Sequence, residues 1–83
     1  MNTLQGKVAI VTGGGQGIGA AICELFCQNG IKVVIAEIDE EAGLEREKLL
    51  KEKGFEALFI NTDVADENSV KKMVDQTIKV HGK

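Results

Sequence analysis

The sequence predicts an α/β fold of three layers, a parallel sheet with helices packed on it. Three observations carry that prediction. Apolar runs at Val8-Ala9-Ile10-Val11, Lys32-Val33-Val34-Ile35-Ala36 and Phe55-Glu56-Ala57-Leu58-Phe59-Ile60 alternate with three longer stretches of helical periodicity. Alternation of that kind means parallel strands joined by right-handed crossovers. The first two runs are apolar on successive residues, which suits strands covered on both faces. Gly30, Gly54 and Gly82 close the helical stretches, where a left-handed C′ residue is wanted.

The elements follow in order. Residues 7–12 form the first strand, and the glycine-rich stretch Thr12-Gly13-Gly14-Gly15-Gln16-Gly17-Ile18-Gly19 leads into a helix over 16–29. Ile18, Ala21, Ile22, Leu25 and Phe26 recur at i, i+3, i+4, i+7 and i+8, which predicts one buried stripe. Residues 32–37 form the second strand. Asp39 is a good N-cap for the second helix. Its acids Glu40 and Glu41 and its bases Lys51 and Lys53 suit the helix dipole. Glu47 and Lys51 make an i, i+4 pair. Leu44, Leu49 and Leu50 give a thin stripe, so this helix is expected on the outside. Residues 56–61 form the third strand. Asp66 caps a third helix with Val70, Met73, Val74, Thr77 and Ile78 on one face. The chain holds no repeat, linker or low-complexity stretch, so residues 1–83 read as one domain.

Composition excludes several classes. Hydrophobic content of 43% with 28% charged residues describes a folded chain. No apolar run approaches the roughly 20 residues of a membrane span, and the amino end lacks a signal-peptide pattern. A cytoplasmic protein is expected. A net charge of −3 gives no electrostatic reason to bind nucleic acid or anionic lipid. Cys23 and Cys27 stand four apart with no second ligand pair, and His81 is remote, so two reduced thiols are expected and no metal site.

The chemistry gathers at the glycine-rich stretch. Strand, glycine turn and helix together point main-chain N–H groups and a helix N-terminus at an anion. No side chain in the turn is cationic, so backbone donors and the dipole would hold any phosphate. The P-loop pattern fails, because Gly19-Ala20-Ala21 stands where Gly-Lys-Ser/Thr is needed. The strict G-x-G-x-x-G template does not align either. What fits is Gly-x-x-x-Gly-x-Gly at Gly13, Gly17 and Gly19, preceded by Thr12. Glu37 closes the second strand 18 residues after Gly19, near the spacing at which an acid meets an adenosine ribose. A carboxylate there accepts from both ribose hydroxyls and repels a 2′-phosphate. The plainer alternatives are a tight turn without a ligand and a solvated acid opening the run Asp39, Glu40, Glu41.

Three motifs then carry a family resemblance: Thr12-Gly13-x-x-x-Gly17-Ile18-Gly19, Glu37 behind Val33-Val34-Ile35-Ala36, and Asp63-Val64 after the third strand. On these the whole chain resembles the amino-terminal cofactor-binding portion of the short-chain dehydrogenase/reductases. The resemblance implies a Rossmann-like βαβαβα domain with strand order 3-2-1. It implies an NAD-dependent oxidoreductase acting on an alcohol or carbonyl. Gly13, Gly17 and Gly19 would line the pyrophosphate, with Gln16 and Ile18 contacting the cofactor in the turn. Glu37 would bind the adenosine ribose. Asp63 would accept from the adenine 6-amino group beside the Val64 backbone, although an Asp there also suits a plain turn. Members that prefer NADP carry Arg or Lys at the positions of Gln16 or Ile38, so NAD is expected over NADP. Members more often have Asp where this chain has Glu37.

The resemblance also marks what is missing. The family continues with a fourth strand, a catalytic Ser and a Tyr-x-x-x-Lys pair. This chain contains no Tyr and has about a third of the 200–250 residues of an α/β enzyme. The domain is therefore expected to be partial, without catalytic residues, its alcohol or carbonyl substrate met only by segments not present. Ser69 reads as a helix-start residue, not as a substitute. The competing reading is a non-catalytic nucleotide-binding or assembly module. The most apolar strand would lie at a sheet edge, which predicts homo-oligomers formed through residues 8–11.

Overall fold

The structure is a computed structural model and describes residues 6–82. The elements are β1 (Val8–Thr12), α1 (Gly17–Gln28), β2 (Lys32–Glu37), α2 (Glu40–Glu52), β3 (Ala57–Asn61) and α3 (Glu67–His81). The sheet is parallel with β2 in the centre, in the predicted order 3-2-1. Val8 pairs with Lys32 and Thr12 with Ala36 across β1 and β2, and Val33 with Ala57 and Glu37 with Asn61 across β2 and β3.

The period of two along β2 divides the core. Val33 and Ile35 lie in one cluster with Val11, Cys23, Cys27 and Leu50, which brings α1 and α2 to that face. Val34 and Ala36 lie in the other, with Ile60 and with Met73 of α3. That is the three-layer arrangement, and it sets the carboxyl ends of all three strands at one edge.

The phase of α1 differs from expectation. Its buried residues are Ala20, Cys23 and Cys27. Ile18 is 81% exposed, and Ile22 and Leu25 are also exposed, with Ala21 beside them. Phe26 alone of the predicted stripe packs partly on the core. The reason is close approach. Small residues let the helix axis sit near the sheet, so the large apolar side chains are turned away. In α2 only Leu50 is sealed; Leu44 and Leu49 are exposed. Gly43 is buried in the same helix, where an added Cβ would strike the Phe59 ring. In α3, Met73 and Thr77 are buried and Val70 packs beside them, whereas Val74 and Ile78 are exposed.

The helix ends match their expected caps. The Asp39 side chain accepts from Ala42 N, and that of Asp66 accepts from Asn68 N and Ser69 N. The Glu47–Lys51 pair forms at 3.8 Å. Glu47 has a stronger partner that was not foreseen, because its carboxylate accepts the Phe59 N–H of β3 at 2.7 Å.

The two thiols are free and buried. Burial pushes the Cys23 thiol up to about 11; the neighbouring Cys27 adds to the rise and Arg46 opposes it. Burial, then the charge of Glu24, raises Cys27 as well. Both folded values lie above the ordinary 9.0. The protonated fold is therefore favoured fully below pH 9, and that contribution is lost as pH rises toward 11. Two results are expected: slow alkylation of both thiols at pH 8 until the chain is unfolded, and a melting temperature that falls between pH 9 and pH 11. Alkylation as fast as that of a free thiol in the folded chain would contradict the burial.

Candidate functional site

The site forms where β1, β2 and β3 end. After Thr12, Gly13 N donates to Ala36 O at 2.8 Å, which pins the start of the glycine turn to β2. Gly13 and Gly17 have positive φ, +67° and +52°, which side chains resist. Gly19 serves differently. A Cβ there would collide with Gly13 O and lie 2.8 Å from Gly13 C, so the first turn of α1 rests directly on the main chain of the glycine turn.

That packing leaves the helix start open. Gln16 is the N-cap residue and makes no side-chain capping bond, and the first turn carries no acid. The first main-chain bond of the helix runs from Ala20 N to Gln16 O at 3.1 Å. The N–H groups of Gly17, Ile18 and Gly19 therefore have no intrahelical acceptor, and they stand at the positive end of the dipole. A diphosphate fits that donor set.

Glu37 ends β2 and is only 6% exposed. Its Oε1 accepts Gly15 N–H at 3.0 Å, and its Oε2 accepts Asp39 N–H at 3.2 Å. Asp39 in turn accepts from the Gln16 side-chain amide at 3.3 Å. At the end of β3, Thr62 is buried, its N–H donating to Glu37 O at 3.0 Å and its hydroxyl to Ile60 O at 2.9 Å. Asp63 follows. Its N–H donates to the Ser69 hydroxyl at 2.9 Å, and its Oδ1 accepts Ala65 N–H at 3.0 Å. That second bond is the Asx turn open to any such aspartate.

These ends enclose a cleft of about 270 Å³ lined by Thr12, Gly13, Ala36, Glu37, Ile38, Thr62, Asp63 and Val64. Of the residues singled out in the sequence, it brings together Gly13, Glu37, Asp63 and Val64. Gly17 and Gly19 lie at the adjoining helix start. Gln16 turns its amide to Asp39, and the Ile18 side chain stands in solvent. Ile38 and Val64, 61% and 60% exposed, give the cleft mouth two apolar surfaces able to flank a flat ring. Sequence reasoning missed Ala36 and Thr62 as walls, Gly15 as a partner of Glu37, and Ser69 as the hydroxyl that holds the Asp63 amide. Only Ser69 left a signal, a hydroxyl in the first turn of α3. Among the described residues no cluster suits a metal ion, and no helix is long and apolar enough to cross a membrane.

Comparison with known proteins agrees with this fold. Residues 7–83 match the family model described as short chain dehydrogenase. An uncharacterized oxidoreductase of Thermotoga maritima is 68% identical over 79 residues, covering 95% of this chain and 31% of the relative. Tropinone reductase-like 1 of Erythroxylum coca is 46% identical over 80 residues, covering 96% of this chain and 28% of the relative. The fold superposes on a short-chain dehydrogenase/reductase of Burkholderia phymatum, solved in complex with NAD. Its TM-score is 0.95 at 35% identity, over 100% of this chain and 30% of that one. The chain thus spans under a third of the length of these relatives. Its match to that family model over residues 7–83 places the chain in the short-chain dehydrogenase family.

Proposed function

We propose that this chain is the dinucleotide-binding portion of a cytoplasmic NAD-dependent oxidoreductase that interconverts an alcohol and a carbonyl. One observation supports the choice of NAD most directly: the buried Glu37 carboxylate stands between the glycine turn and Asp63, with no cationic side chain among the described residues that line the cleft. The open N–H groups of Gly17, Ile18 and Gly19 would hold the diphosphate. Glu37 would accept the ribose hydroxyls, and Asp63 with Val64 would take the adenine edge. When bound, the nicotinamide supplies hydride transfer; the residues here bind and orient the adenosine half. A 2′-phosphate brought against the Glu37 carboxylate would be repelled by its like charge.

Titration of the chain with NAD, NADP and AMP tests the reading. NAD is expected to bind at least about tenfold more tightly than NADP, one step of roughly 1.4 kcal/mol. Glu37→Ala should weaken NAD and AMP by a similar factor, the worth of a hydrogen bond to a charged group. Equal affinities for NAD and NADP would reject the cofactor choice.

The edge strand gives the oligomer proposal its support. Within the described sheet β1 pairs on one side only, and Ile10 is 41% exposed. Association through β1 would satisfy its open main-chain groups. Sedimentation should show dimers at high concentration, and Ile10→Lys should return them to monomer. A monomer at all concentrations would end this proposal.

A further inference from the structure

We infer that Glu37 does more than face a ribose: its carboxylate clasps the glycine turn to the start of α2 and thereby positions the amides that would receive the diphosphate. The inference rests on the dinucleotide reading above and adds a positioning role to the same side chain. Three observations carry it. Glu37 Oε1 takes the N–H of Gly15, a residue inside the turn and 22 positions away in sequence, in a buried hydrogen bond of 3.0 Å. Its other oxygen takes Asp39 N–H at 3.2 Å, so the carboxylate is fixed at both ends. Gly15 is also closely packed. An added Cβ would lie 3.0 Å from Glu37 Oε1 and 3.0 Å from Ala42 C in the first turn of α2.

The consequence is a division of labour among the turn amides. Gly15 N–H is committed to protein, whereas those of Gly17, Ile18 and Gly19 have no intrahelical acceptor. A turn held at Gly15 need not be ordered by the ligand, and preorganisation of that kind favours binding by lowering its entropic cost. Side-chain length decides whether the clasp closes. An aspartate keeps the charge but retracts the carboxylate by about 1.5 Å, one C–C bond. That carries the contact with Gly15 out of hydrogen-bond range. The contact with Asp39 spans only two residues, and aspartate makes such local bonds readily.

Glu37→Asp therefore separates the two roles, with the 83-residue chain studied by NMR. In the free protein the Gly15 amide should exchange with solvent at least about fivefold faster in Glu37→Asp than in the parent, the worth of one hydrogen bond. The Asp39 amide should stay protected, which distinguishes loss of the clasp from general loosening. Binding is then read with adenosine, which has the ribose and no phosphate, and with ADP. If the clasp positions the turn, the ratio of ADP to adenosine affinity falls at least about threefold in Glu37→Asp. Unchanged Gly15 exchange, or an unchanged affinity ratio, would overturn the inference. Failure of the parent chain to bind either ligand would sink the dinucleotide reading and the positioning role with it; unchanged exchange in a chain that binds ADP would sink the positioning role alone.

Discussion

Gly19→Ala is expected to abolish measurable NAD and ADP binding, a loss of at least about a hundredfold. The added methyl would overlap Gly13 O and press on Gly13 C at 2.8 Å and Gly14 Cα at 3.1 Å. Those neighbours are main chain, which cannot turn aside as a side chain can. Either the glycine turn lifts off the helix or the first turn of α1 unwinds. Both outcomes disperse the N–H groups of Gly17, Ile18 and Gly19, and an anion site of this kind consists of little besides those donors and the helix dipole. Small displacements at such a site carry large penalties. Gly54→Ala is the control. Gly54 also has a positive φ, +86°, but nothing lies near its missing Cβ. That variant should lower stability by about 1 kcal/mol and leave ADP affinity unchanged. Calorimetry on both variants gives the answer, and an ADP affinity for Gly19→Ala within threefold of the parent would contradict the proposed seat.

Leu50→Ala is expected to be the most damaging truncation in α2, by about 2–5 kcal/mol. Leu50 is 0% exposed and belongs to the cluster of Cys23, Val33 and Ile35. Domains of this size hold only about 5–15 kcal/mol in all, so the melting temperature should fall by at least about 10 °C. Leu44→Ala and Leu49→Ala, on the exposed side of the same helix, should each cost under about 1 kcal/mol. Thermal unfolding of the three variants measures directly which leucine the fold depends on. Equal losses would mean that α2 is rotated from the position described.

These leucines show where the sequence was legible. They gave only a thin stripe; Asp39 and Gly54 marked the helix's ends, because caps and turns are local chemistry. Rotation is not local. In α1 the buried face is Ala20, Cys23 and Cys27, with the same helical period as the larger residues Ile18, Ile22 and Leu25 but another phase. Hydrophobicity favoured the larger set; the close contact of Gly19 with Gly13 favours the smaller one. The site divided in the same way. Gly13, Glu37, Asp63 and Val64 could be named because each stands at a strand end, and parallel strands put those ends together. The bond from Gly15 to Glu37 and that from Asp63 to Ser69 depend on how loops meet in space, and spacing along the chain does not report it.

The carboxylate of Glu47 gives the sheet a direction of growth. It occupies the Phe59 N–H, a main-chain donor of β3 that a neighbouring strand would need, and so blunts that border against further pairing. The opposite border, along Val8–Thr12, has no such guard among the described residues. Among the described residues, β1 is therefore the border left open to main-chain pairing, and β3 the one partly closed to it.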